Sequence, residues 1–353
     1  MTEHNKALLS ALCDMNGATG CEDEIKAFII KEISPYCDKL FTDKFGNLIA
    51  FKKGEKTLHR PLMFDAHMDE VGFMVRAIDD EGYIKFVPVG GIDAGILPAK
   101  RVKIGKNNIN GVISSKPVHM QRNDANKNDA LSIDKLLIDI GAKDREDALS
   151  HVSIGDYIHF DSKTEFFGEN GGVIKAKALD DRLGCYLLIN AMRETTALEY
   201  DTYFCFSVQE ETGLRGAAVA AHNLCPSVAV ALDATTAGDM PGVSGMDVVC
   251  RQGEGGVLSL IDGAAIYDKE LLFTVMDEAK ARGIKHQLKT RPSGGNDAAA
   301  LQRAGYGARV CAMSAPSRYI HSPSSTVRVE DVDSMQAMIG VMIHVCGKFA
   351  ENE

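Results

Sequence analysis

Apolar positions recurring at spacings of three and four over residues 5–15 and 22–33 predict two amphipathic helices at the start of the chain. Thr19 or Gly20 is the expected cap of the second, ahead of the acidic first turn Glu22-Asp23-Glu24. Strand-like Gly46 to Phe51 follows, then the apolar run Pro61 to Phe64, which leads into Asp65-Ala66-His67-Met68-Asp69-Glu70. From there to about 165 the pattern breaks into short β-like pieces: Val71 to Ile78, Tyr83 to Val89, Arg101 to Ile104, Gly111 to Ser114 and Tyr157 to Phe160. Gly, Asn and Asp punctuate them, so a small all-β module is expected. After about 166, helical and buried-strand patterns alternate. Helices are predicted at Leu183 to Arg193, Gly213 to His222, Lys269 to Arg282, Asp297 to Ala304 and Val329 to Phe349, with strands at Thr202 to Val208, Val228 to Leu232, Lys285 to Leu288 and Ala308 to Met313. The expected fold class is therefore an α/β sandwich, built from residues 1–69 and 166–353 and interrupted by a β-rich insertion at 70–165.

At 353 residues the chain exceeds what one core usually organises, which agrees with two domains. Its 45% hydrophobic and 25% charged residues suit a globular protein. A net charge of -10 argues against nucleic acid and anionic membranes as partners. The amino terminus lacks the apolar core of a secretory signal, and no run approaches the roughly 20 apolar residues of a membrane span. Nine scattered cysteines without a C-x-x-C pair suit reduced thiols, so a cytoplasmic location is expected.

Candidate chemistry collects where apolar strands end. His67 and Asp69 stand two apart after one such run, close enough for the carboxylate to orient the imidazole. Asp180-Asp181 precedes a helix, Glu210-Glu211 follows strand Thr202 to Val208, Asp233 closes Val228 to Leu232, and His321 lies in a turn-rich loop after Ala308 to Met313. Any one acidic pair alone reads better as a helix cap or a solvated face. Together they read as a cation site, since carboxylates at buried strand ends are costly unless something positive meets them. Carboxyl ends of strands in open α/β sheets form ligand crevices. Two histidines with several carboxylates suit zinc, cobalt or manganese better than calcium or a thiolate-bound structural metal.

Six stretches stand out, five of which hold these residues: DAHMDEVGFMV (65–75), GVISSKPVHM (111–120), ALDDRLGCYLL (178–188), SVQEETGLRGA (207–217), LDATTAGDMPG (232–242) and SRYIHSP (317–323). In that order, and across nearly the whole chain, they resemble the co-catalytic metallopeptidases of peptidase family 42. That family includes the tetrahedral (TET) and glutamyl aminopeptidases, FrvX-like and cellulase M-like proteins, some of them labelled endoglucanases. The resemblance implies a mixed-sheet α/β/α metallopeptidase domain with an inserted small barrel-like dimerisation domain. It implies two divalent ions, zinc or cobalt with manganese as a substitute, bridged by Asp180. His67 and Asp233 would complete one site, and Glu211 and His321 the other. Glu210 would be the general base and Asp69 the carboxylate behind His67, with a cis bond between Asp180 and Asp181. The activity implied is removal of N-terminal residues from short peptides, inside a homo-oligomer such as a dodecamer built from dimers.

The chain departs from that pattern in places. Gly295-Asn296-Asp297 stands where the family has Gly-Thr-Asp, close to the expected substrate pocket, and Gly253-Glu254-Gly255-Gly256 replaces a glycine-proline turn. Arg251 and Arg291 are candidates for recognising acidic substrates, although a solvated basic face is the plainer reading of each. Two rivals stand beside the peptidase: a glycoside hydrolase using the Glu pair, and a non-catalytic module stabilised by metal. Adjacent glutamates are poorly placed to flank a glycosidic bond, and the chain has no Trp for sugar stacking.

Overall fold

Four apolar runs that the sequence marks as buried become neighbouring parallel strands. They are β4 (Leu62–His67), β14 (Thr202–Ser207), β15 (Val228–Thr236) and β18 (Arg309–Ser317), and they lie in the order β14-β4-β15-β18. Strands covered on both faces carry continuous apolar runs rather than alternation, which is why these four are legible. The computed structural model that shows this describes residues 1–115, 132–195 and 197–352, so the end of the segment GVISSKPVHM lies outside the described residues. The sheet is completed by β1 (Lys39–Thr42) and β2 (Leu48–Lys52) on one side and by β16 (Gly256–Ser259) and β17 (His286–Lys289) on the other. Antiparallel pairs β1/β2, β2/β14 and β16/β18 make this eight-stranded sheet mixed.

Side chains alternate across it. Leu62 and Phe64 enter a large core with helices α1 (Glu3–Asp14), α2 (Asp23–Ile33), α4 (Leu179–Glu194), α6 (Lys269–Ala281) and α8 (Val329–Glu351). Met63 points the other way, into an alanine-rich core under α5 (Arg215–Leu224) and α7 (Ala298–Arg303). The result is an α/β/α sandwich. Among the described residues no helix is long and apolar enough to cross a membrane.

Between β4 and α4 the chain forms a closed barrel in the order β10-β5-β6-β9-β8-β7. Its strands are β5 (Gly72–Ile78), β6 (Ile84–Val89), β7 (Arg101–Ile104), β8 (Ile109–Ile113), β9 (Ile138–Asp139) and β10 (Tyr157–Phe160), with α3 (Arg145–His151) against its side. Phe73 sits at its centre, edge-on to Phe86 at 5.1 Å and Phe160 at 5.4 Å. Three short strands, β11 (Glu165–Phe167), β12 (Val173–Ala176) and β19 (Ser325–Arg328), form a further sheet, and β3 (Gly54–Lys56) pairs in parallel with β13 (Leu198–Tyr200). Pairing of Ala176 with Ser325 brings the chain just before Asp180 beside the chain just after His321.

The α2 cap differs from expectation. Glu22 takes the capping position without a side-chain cap, and Thr19 instead donates its hydroxyl to Asp69 Oδ2 at 2.8 Å. Thr19 lies four residues before the first helical residue, Asp23, and its hydroxyl serves the buried Asp69 carboxylate.

Where barrel and sandwich meet, four ionisable groups are buried together. Glu70 Oε1 lies 2.6 Å from Lys177 Nζ, 3.9 Å from Arg182 Nη2 and 3.8 Å from His159 Nδ1. Arg182 also donates to the carbonyls of Met68 and Leu12, both at 2.6 Å, which ties the turn after β4 to the start of α4. Burial lowers His159 to about 4, against the pull of Glu70. Folded His159 therefore stays neutral as pH falls below its ordinary 6.5, while the unfolded chain takes up a proton. Stability is lost between pH 6.5 and 4, by about 3 kcal/mol at most. Denaturant unfolding at pH 7 and 4.5 should show a smaller pH-dependent loss for His159→Gln than for the wild type.

Candidate metal centre

Each strand of the central parallel set delivers one part of the site at its carboxyl end. His67 is the last residue of β4, Asp233 lies near the end of β15, Glu210 and Glu211 follow β14, and His321 follows β18. Asp180 arrives from the other direction, in a non-helical stretch at the start of α4, and its bond to Asp181 is cis. All seven residues singled out in the sequence lie at this one place.

The two oxygens of Asp180 face two imidazoles, Oδ1 at 3.1 Å from His67 Nε2 and Oδ2 at 3.2 Å from His321 Nε2. His67 Nε2 is also 3.9 Å from Asp233 Oδ1, and His321 Nε2 is 3.5 Å from Glu211 Oε2. Two trios result, His67/Asp180/Asp233 and Asp180/Glu211/His321, each with its donor atoms within 4.8 Å of one another. Asp180 is common to both. Glu210 belongs to neither trio, and its Oε2 stands 4.0 Å from His67 Nε2.

Each imidazole is oriented from behind. His321 Nδ1 donates to the Gly91 carbonyl at 2.7 Å and His67 Nδ1 to the Asp69 carbonyl at 3.1 Å, which turns both Nε2 atoms toward the carboxylates. The Asp69 carboxylate is 3.5 Å from His67 Nδ1, so the backbone oxygen is the closer acceptor. That carboxylate instead accepts the backbone N–H groups of Glu210 at 3.0 Å and Glu211 at 3.2 Å, as well as the Thr19 hydroxyl. One buried side chain thus aims two consecutive glutamates. Gly91 follows Gly90, whose φ of +95° and approach to Val71 Cγ1 (2.9 Å from where a Cβ would be) leave no room for a side chain.

The electrostatics match the donor set. Burial and then the repulsion of Asp180 push Glu211 and Asp233 well above the usual carboxylate range. Burial likewise raises Glu210 to about 7, with His67 opposing it. Asp180 is held far below that range, because His321 and His67 outweigh its burial. Burial raises Asp69 less than His67, Thr19 and Glu210 N–H lower it, so it stays ionised. Imidazole nitrogens and carboxylates gathered in a buried space call for positive charge among them, which cations would supply. Donors about 2.1 Å from a shared ion stand about 3.0 to 3.4 Å apart at ordinary coordination angles, the separation Asp180 keeps from both imidazoles. The residues fit divalent metal.

The trios open onto a cavity of about 550 Å³, whose further walls include Thr235, Asp262, Lys289, Gly295 and Asn296. Of the departures noted in the sequence, Gly295 and Asn296 line this space, while Asp297 turns beneath it and shares the Ser207 hydroxyl with Asp65. Arg251 is exposed and Arg291 pairs with Asp247 at 3.0 Å; neither lines the cavity. Gly253 and Gly255 donate to the Asp331 carboxylate in a turn that leads into β16. The Gly91 carbonyl and Lys289 carry no signal in the sequence, and Thr19 reads there only as a helix cap, because a single polar residue or a backbone oxygen leaves no pattern of its own.

A family model described as M42 glutamyl aminopeptidase matches residues 46–338. Lysyl aminopeptidase of Pyrococcus furiosus is 33% identical over 93% of both chains. Among solved structures, aminopeptidase APDkam598 from the archaeon Desulfurococcus kamchatkensis superposes with a TM-score of 0.93 at 29% identity, over 99% of this chain and 97% of the other. The Pyrococcus horikoshii TET1 peptidase, described as able to assemble into a tetrahedron or a large octahedral shell, gives 0.83 at 32% identity over 96% and 98%. The sugar-hydrolase and non-catalytic readings fall away against these matches: the chain belongs to the M42 glutamyl aminopeptidase family and is a peptide hydrolase.

Proposed function

We propose that the chain is a dinuclear metal-dependent aminopeptidase that removes N-terminal residues from short peptides. Asp180 would serve both of two divalent ions, with His67 and Asp233 completing one ligand set and Glu211 and His321 the other. The observation that carries this reading is the Asp180 carboxylate, with one imidazole Nε2 on each oxygen at 3.1 and 3.2 Å. Zinc or cobalt is the proposed metal, with manganese as a substitute. When bound, such ions would supply a water of lowered pKa and a polarised scissile carbonyl. Glu210 takes the proton from the attacking water and returns it to the leaving amine. Asp69 holds the backbone of that base in place through its N–H. The acids around the cavity attract the free amino group of the substrate, which selects chain ends.

Metal-loaded protein should hydrolyse aminoacyl chromogenic substrates with a free amine, lose that activity on chelation, and leave Nα-acetylated versions intact. Equal cleavage of acetylated substrates would reject the N-terminal specificity.

Residues 70–165 form the proposed dimerisation domain, inserted into a catalytic domain of 1–69 and 166–353. The exposed apolar side chains of Val112, Leu149 and Ile154 support this. A homo-oligomer, a dodecamer built from dimers, follows by analogy with the shells of the TET1 relative. Sedimentation at micromolar concentration should find species well above the 38.2 kDa monomer, and monomer alone would overturn the assembly. The nine free thiols suit a reducing cytoplasm.

A further inference from the structure

We propose that Lys177 is a positioning residue of the metal centre, holding Glu211 through one ordered water in a small cavity behind the second ligand trio. This inference rests on the dinuclear reading of the same site.

Lys177 and Glu70 meet where barrel and sandwich join, and each is only 2% exposed. Both line a cavity of about 10 Å³ whose walls also include Glu211, Ser322 and Ser325. That is about the space one water needs, provided polar groups surround it. The cavity lies against Asp180, Glu211 and His321, the members of the second trio, and neither His67 nor Asp233 lines it.

Hydrogen-bond accounting points to the occupant. The Lys177 ammonium donates to Glu70 Oε1 at 2.6 Å and to the Met15 carbonyl at 2.9 Å. An ammonium has three N–H donors, so one is left. On the facing wall the Glu211 side chain is 5% exposed, and no described residue makes a hydrogen bond to either of its oxygens. Lys177 does not reach it directly, since among the described residues Glu70 is the one carboxylate within 4.0 Å of the ammonium. The serines do not take its place. Each hydroxyl has a single hydrogen, and Ser322 and Ser325 both give theirs to the Tyr319 carbonyl, at 2.6 and 3.0 Å.

A water between the two walls closes the account. It accepts the third N–H of Lys177, donates one hydrogen to Glu211, and has a second for Glu70 Oε2, which likewise takes no hydrogen bond from a described residue. A cation in the same space would face the ammonium, so a neutral donor is the class that fits. The backbone of Glu211 is fixed by Asp69 through its N–H, whereas nothing else on this wall fixes its carboxylate. The bridge from Lys177 sets that direction, and losing such a supporting partner costs about 10- to 100-fold in metal affinity.

The test is a zinc titration of metal-free wild type and of the double variant Lys177→Met/Glu70→Gln, which removes both charges of the pair and so leaves no buried carboxylate unpaired. One of the two affinities should fall about 10- to 100-fold while the other stays within about threefold, because Glu211 serves one trio only. An equal fall in both would make Lys177 a prop of the domain junction, and no fall in either would make it idle; each result overturns the proposal. A high-resolution crystal structure of zinc-loaded wild type decides the matter even if the variant does not fold. It should show a water within about 3.2 Å of both Lys177 Nζ and a Glu211 oxygen. No peak in the cavity, or a peak touching only one of the two, overturns the proposal. Binding of a single zinc by the wild type would instead defeat the dinuclear reading, and this inference with it.

Discussion

Glu210→Gln should cut turnover by about 10²- to 10⁴-fold while bound metal stays at the wild-type level. The amide keeps the shape of the side chain and loses the ability to accept a proton. Glu210 stands outside both ligand trios, so the ions lose no donor. Its backbone remains fixed, because the bond from its N–H to Asp69 Oδ1 does not depend on the side chain. The measurement pairs steady-state rates on an aminoacyl substrate with elemental analysis of the same samples. Metal loss together with activity loss would make Glu210 a ligand rather than a base, and unchanged activity would remove it from the reaction.

Asp180→Ala should have the larger effect on metal, because this side chain alone serves both trios. Without it each set keeps one imidazole and one carboxylate, too few to hold a divalent ion against water. Asp69→Asn gives the comparison. Asp69 touches no proposed ion site directly but holds Glu210 and Glu211 by their N–H groups, and loss of such a supporting partner costs about 10- to 100-fold in affinity. Isothermal titration with zinc or cobalt should rank the proteins wild type, Asp69→Asn, Asp180→Ala. Equal affinity of Asp180→Ala and wild type would show that Asp180 is no ligand.

Much of this site is legible from the chain alone because it stands at the ends of fully buried strands. Phe64, Phe206 and Leu232 make their runs conspicuous, and His67, Glu210 and Asp233 follow or close them. Short, half-exposed strands are another matter. Glu165–Phe167 and Lys39–Thr42 expose most of their residues and carry little alternation, so their pairing is visible only in the folded chain. Long-range orientation is equally hidden. His321 is set by the carbonyl of Gly91, 230 residues away, and an oxygen of the main chain carries no residue identity. The Asp69 carboxylate shows the same limit in another way. Spacing pairs it with His67, whereas the turn after β14 brings two N–H groups nearer to it than the imidazole is. Charge can be counted in a sequence but direction cannot: Arg251 and Arg291 stand off the cavity, whereas Lys289 lines it.

Anomalous diffraction from crystals grown with zinc or cobalt addresses the pairing of ions most directly. Two peaks should appear about 3.5 to 4 Å apart, one beside His67 and Asp233 and one beside Glu211 and His321, with Asp180 touching both. A single peak, or two peaks that do not share Asp180, would contradict the dinuclear site.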